Sequence, residues 1–210
     1  RVAYADLSRS DRIQIYLYNI TTGKEELVVK DNAKDCFIPQ IYGDNLIYIK
    51  GRLLNTGDVA EPALILRNLK NGEEKVLSTE KWMMASLYGD KVVWGEGTSP
   101  LNNSNSIMVY NITTKEKRKL PLKFSAYGFS LYKDIFVFNS LVNETVLEVG
   151  GYDLSTDTYF PISTPENAGQ ALPRIYENKV VWIDYRNSPQ PLNSRIIQKT
   201  EVYLAEITKK

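Results

Sequence analysis

The chain has 210 residues, 43% of them hydrophobic and 24% charged, enough for one sizeable domain and short for two. Lys and Arg number 26 against 25 Asp and Glu, so the net charge of +1 supplies no long-range field to attract nucleic acid or an anionic membrane. With no histidine and a single cysteine, Cys36, an internal disulfide, a Ser-His or Cys-His nucleophile pair and the usual zinc ligand sets are all excluded, and neither cofactor nor metal is expected.

The chain opens on "RVAYADL", strand-like and without a Met, a basic n-region or an apolar h-region, which reads as a mature or excised fragment of something longer. The strands "IYLYNITTGKE" and "EELVV" follow, then "CFIPQIYG" and "IYGDNLIYIKG". From there the chain repeats itself. "LILRNLKNGEE" and "EKVLS" lead to "MMASLYG" and "LYGDKVVWGEG", then to "MVYNITTKEK" and "KRKLPL". A fourth copy runs "YGFSLYK", "IFVF", "GGYDLSTDT" and "TYFPI", and a fifth runs "ALPRIYE", "KVVWIDY" and "VYLAEITKK". Tyr42, Tyr88, Tyr132 and Tyr176 stand 46, 44 and 44 residues apart, the last in a degenerate "YEN". Each copy carries an aromatic on its second strand: Tyr4, Tyr48, Trp94, Phe138 and Trp182. The third strand ends on Asn19, Asn68, Asn111, Asp153 or Glu206, and short Asn and Asp side chains there suit a tight hairpin.

Four short strands, a to d, repeated every 40 to 45 residues or so predict a β-propeller in which each unit is one blade. Here the expectation is an all-β, five-bladed β-propeller of about four-stranded antiparallel blades, one domain over 1–210, with blades near 1–34, 35–80, 81–124, 125–168 and 169–210. Blades bury both faces, which explains second strands as apolar as "VVW" and "FVF" and gives their aromatics a packing role. The first copy lacks strand a and the fifth lacks strand d. Closure is expected by side-chain contact, Val2 and Tyr4 against Val181 and Trp182, giving a monomeric domain within a larger protein; the missing end strands equally permit the rival, an arc of a larger propeller.

The repeats "IPQIYGDNLIYI", "LYGDKVVW", "RIYENKVVWIDYRN" and "IQIYLYNITTGKE" resemble the β-propeller repeats of archaeal cell-surface proteins and, more distantly, those of TolB and its relatives. The resemblance covers essentially the whole chain. It implies an extracellular or surface-attached module for interaction or scaffolding, without catalytic residues to carry over. Copies two to four depart from the pattern, since the "D-x-RN" element after strand b is absent from them.

Two residues beyond each aromatic lie Asp6, Lys50, Glu96, Ser140 and Asp184, one per copy. With Arg186 beside Asp184, the set Asp6, Lys50, Glu96, Asp184 and Arg186 is the candidate binding face for a protein or a glycan. Solvated strand ends would look the same, and local pairs such as Asp6 with Arg9 contribute about 0–1 kcal/mol when exposed. The loops "GRLLNTGDVAEPA", "GEGTSPLNNSNS" and "YRNSPQPLNSRIIQKT" leave that same side, where binding residues concentrate. Four N-x-S/T sequons, at Asn19, Asn102, Asn111 and Asn143, fit a surface protein. The rival is a glycoside hydrolase-like enzyme, which needs two carboxylates about 5–10 Å apart. The innermost strands present Gln40, Ser86, Ser130 and Arg174, with only Asp35 and Glu177 nearby, so a non-enzymatic module is expected.

Overall fold

The computed structural model describes residues 1–81, 84–97, 106–122, 126–143, 146–163, 169–185 and 201–208. Every regular element among them is a β-strand, and all strand pairs are antiparallel. The chain divides into two compact units, Arg1–Met83 and Met84–Lys210.

The first unit holds a three-stranded sheet, β1 (Val2–Asp6), β2 (Gln14–Asn19) and β3 (Lys24–Val29), and a four-stranded one, β4 (Asp35–Tyr42), β5 (Asn45–Leu53), β6 (Val59–Asn68) and β7 (Glu74–Ser78). Ile15 and Val29 of the first sheet share a core with Leu46, Tyr48 and Ile65 of the second. Tyr48 thus packs back on the preceding sheet. Cys36 belongs to the same cluster, and its burial pushes the thiol up to about 12, as befits a small apolar side chain rather than a nucleophile.

The second unit contains β8 (Ala85–Tyr88), β9 (Lys91–Glu96), β10 (Ser106–Asn111) and β11 (Lys117–Lys119) as one sheet. Next come β12 (Ala126–Tyr132), β13 (Ile135–Asn143), β14 (Val146–Asp153) and β15 (Thr158–Pro161), then β16 (Gln170–Tyr176), β17 (Lys179–Asp184) and β18 (Glu201–Glu206). Phe136 and Phe138 of β13 pack back on Val93, Ile107 and Val109, whereas Val137, between them, packs forward on Val180 and Trp182. Successive side chains on a strand point to opposite faces. The same rule corrects the expectation that Val181 and Trp182 share a closing face: Trp182 lies in the core with Val137 and Val149, and Val181 points the other way, 38% exposed.

Three local devices recur. Asn19, Asn68, Asn111 and Asp153 each accept a hydrogen bond from the backbone N–H two residues on, at 3.0, 2.9, 2.8 and 2.9 Å, which closes the turn between third and fourth strands. In the turns that open the second strands, the carbonyls of Asp44, Asp90, Asp134 and Asn178 accept from Leu69, Ile112, Leu154 and Ile207, tying each third strand back to them. Finally, β4, β12 and β16 carry a bulge where Ile38, Gly128 and Leu172 adopt φ of 54°, 68° and 55°. Adjacent sheets in the second unit are joined along their first strands: the Ser86 hydroxyl accepts from Leu131 N (3.0 Å) and Ser130 from Ile175 N (3.2 Å). These serines, equivalent in the repeat, link sheets.

Candidate functional site

The candidate residues at the ends of the second strands are each engaged locally. Asp6 accepts from Ser8 N at 2.7 Å and pairs with Arg9 at 3.2 Å, and these two partners, Ser8 first, hold its carboxyl below the usual range. Glu96 accepts the Trp94 indole N–H at 2.8 Å, with Lys117 at 3.3 Å. Asp184, 1% exposed, accepts from Gln170 Nε2 at 3.0 Å and from Trp182 Nε1 at 3.4 Å. A residue two positions beyond an aromatic lies on the same face of the strand, so a carboxylate there can satisfy a buried indole N–H. Ser140, in the copy whose aromatic is Phe138, donates instead to Glu148 at 3.0 Å. Arg186 lies outside the described residues, as do 98–105 and 186–200 of the loops expected to flank this side and the sequon positions 102–104 and 144–145.

Lys50 pairs with Asp31 at 2.7 Å. That ammonium, with the N–H groups of Ala33 and Lys34, holds the Asp31 carboxyl down to about 2. A free carboxyl titrates near 3.9, so this pair stabilises the fold fully above about pH 4, and its contribution is lost as pH falls through about 2. Asp31→Asn should therefore shrink the difference in urea midpoint between pH 5 and pH 2.5; an unchanged difference would show that the pair is worth nothing in solution.

Asp35 and Glu177 are the carboxylates nearest the innermost strands, and their settings differ. Asp35, 4% exposed, accepts from Ile13 N and Leu53 N, both at 3.1 Å, with Arg12 at 3.6 Å, and Glu177 sits on an exposed turn. Among the described residues no group of three or more Cys, Asp or Glu could hold a metal ion.

The opposite ends of the same second strands, about 17 Å away for a six-residue strand such as β17, carry a feature that the repeat pattern does not announce. In the second unit the β12–β13 turn (Tyr132, Lys133, Asp134, Ile135), the β16–β17 turn (Glu177, Asn178) and Ile207 line a concavity of about 450 Å³. Tyr88, Tyr132 and Tyr176, one from each sheet of this unit, form a row with ring centroids 4.6 and 5.2 Å apart. Tyr176, at its open end, is 69% exposed. Lys91 bridges Asp90 (3.0 Å) and Asp134 (3.2 Å), and the Lys133 ammonium stands 5.6 Å over the Tyr132 ring. Lys133 and Glu177 occupy the left-handed turn position, φ 53° and 55°, that Gly43 and Gly89 take in the preceding copies. The only sequence signal was that "YGD" had become "YKD" and "YEN" in these two copies.

No protein-family model matches the chain, and no curated protein matches its sequence. Solved structures do. The β-propeller domain of the trilobed protease from Pyrococcus furiosus superposes with a TM-score of 0.59 at 13% identity, over 86% of this chain and 57% of that one. TolB from Acinetobacter baumannii gives 0.57 at 16% identity, over 87% and 48%. This chain is a β-propeller repeat protein similar to TolB. The uncomplexed acylaminoacyl peptidase from Pyrococcus horikoshii gives 0.68 at 13% identity, over 99% of this chain and 37% of that one. The chain thus spans about half the length of the first two, and at such identities the likeness is one of fold. In propeller terms, the concavity lies between the a–b turns of two neighbouring blades, and Asp184 and Glu96 mark the far ends of their b strands or those beside them. Its lining joins buried Ile135 and half-buried Tyr132 and Ile207 to exposed Lys133, Glu177 and Asn178, and its volume falls within the range of small-ligand sites.

Proposed function

We propose that the five sheets serve as blades of a non-enzymatic propeller module that binds a protein or a glycan outside the cell, as one domain of a larger protein. The observation that carries this reading is the commitment of Asp35 and Asp184: both are buried, and both accept hydrogen bonds from the fold itself. A general acid or base must instead reach a substrate proton. Likeness to TolB adds support at the level of fold, and no helix among the described residues is long and apolar enough to cross a membrane. The test is a panel of glycoside and peptide substrates. No turnover is expected; turnover that Asp35→Asn or Asp184→Asn abolishes would replace this reading with the glycoside hydrolase-like one. The surface assignment predicts that protease added to intact source cells cleaves the domain.

A further inference from the structure

We propose that Asn19 is a site of N-linked glycosylation and that Asn111, which opens the same tetrapeptide, is not, an inference that rests on the placement of the chain outside the cell. Both residues begin the sequence Asn-Ile-Thr-Thr at the turn between third and fourth strands. In both, Oδ1 accepts from the two backbone N–H groups that follow the isoleucine, at 3.0 and 3.2 Å for Asn19 and at 2.8 and 2.9 Å for Asn111. The copies differ at Nδ2. Asn111 Nδ2 donates to Asp90 Oδ2 at 3.0 Å, and the next backbone N–H, of Ile112, donates to the Asp90 carbonyl at 2.7 Å. Asp90 thus clamps that sequon at two points. It lies in the β8–β9 turn, and the sheet of β1, β2 and β3 holds no such turn among the described residues. Within those residues nothing accepts from Asn19 Nδ2, the atom meets solvent, and the neighbouring Ile20 is 68% exposed.

Glycan transfer takes place at that nitrogen. Nδ2 bonds to the anomeric carbon of an oligosaccharide carried on a lipid phosphate, and the bond from that carbon to the phosphate oxygen breaks. The lipid phosphate leaves with the electron pair, and one amide proton passes to a base of the transferase. The transferase must therefore draw Nδ2 out of any bond it already makes. A hydrogen bond to a carboxylate is among the stronger ones, and breaking it lowers the fraction of released amide about tenfold or more. Asn111 meets that barrier in the Asp90 bond, and Asn19 does not.

The chain isolated from its source cells would be digested with trypsin, and the peptides holding Asn19 and Asn111 weighed and fragmented to locate added mass. Oligosaccharide is expected on Asn19, with occupancy at Asn111 lower by about tenfold or more. Thr21→Ala should abolish the modification at Asn19 without disturbing the turn, because the backbone N–H of residue 21 still donates to the asparagine. Asp90→Ala, which frees Asn111 Nδ2, should raise occupancy at Asn111 toward that of Asn19. Bare Asn19 in a chain that added protease reaches on intact cells overturns the inference alone. Bare Asn19 in a chain that protease does not reach overturns the extracellular reading with it. Equal occupancy at the two residues, or no rise at Asn111 in the Asp90→Ala chain, shows that Asp90 does not decide between them and sinks the inference. Mass on Asn19 that survives Thr21→Ala is not directed by the sequon and sinks it as well.

Discussion

Phe138→Ala is expected to destabilise the second unit by about 3–5 kcal/mol, the range for emptying a large aromatic from a closed core. Phe138 is fully buried between its own sheet and the one before it, with Phe136 at 5.0 Å and Val93 and Ile107 in the same cluster. β9 and β13 are each hydrogen-bonded to two neighbouring strands, which restrains their backbones from closing over the space. Tyr4 occupies the same place in the repeat but is only partly buried, stacked on Tyr16 at 5.7 Å. Tyr4→Ala should cost much less, about 1 kcal/mol, the worth of an aromatic pair and some area. Urea denaturation followed by circular dichroism would measure both. Equal losses would mean that strand register, rather than packing between sheets, sets the stability of an aromatic in this repeat.

Asn139→Ala should cost about 2–5 kcal/mol through a different mechanism. Asn139 is fully buried on β13; its Nδ2 donates to the Gln170 carbonyl at 2.7 Å and its Oδ1 accepts from Leu172 N at 3.0 Å. Leu172 lies in the bulge of β16, where the register shifts between Ala171 and Arg174, and Gln170 stands just before it, opposite Asp184 on β17. Truncation leaves both unmet at about 1–3 kcal/mol each, and opens a small void. Asn139→Asp keeps the shape and the acceptor but turns a carboxylate oxygen toward the Gln170 carbonyl. Its penalty should grow as pH rises and the buried carboxyl ionises. A pH-independent penalty for Asn139→Asp, or a loss below 1 kcal/mol for Asn139→Ala, would show that water replaces the amide at the bulge.

The sequence alone determined what depends on near neighbours along the chain. The repeat spacing, the Asn and Asp turns and the unbroken apolar second strands are local chemistry, written into each copy, and they sufficed for an all-β fold of repeated antiparallel sheets. Period-two alternation is equally local, and it puts the adjacent Val181 and Trp182 on opposite faces of their strand. What only the tertiary structure decided is which distant groups meet. Glu96 and Asp184 look alike in sequence to surface carboxylates, and became partners of indoles because Trp94 and Trp182 are buried and their N–H groups need an acceptor. Ser86 and Ser130 stood at the places where a channel site was sought, and instead each holds the backbone of the next sheet. The concavity exists because turns 44 residues apart, with Ile207 still further along, are brought side by side by the packing of one sheet on the next. No pattern inside a single copy encodes that adjacency, because it arises from the hydrophobic faces of whole sheets and not from the turns themselves.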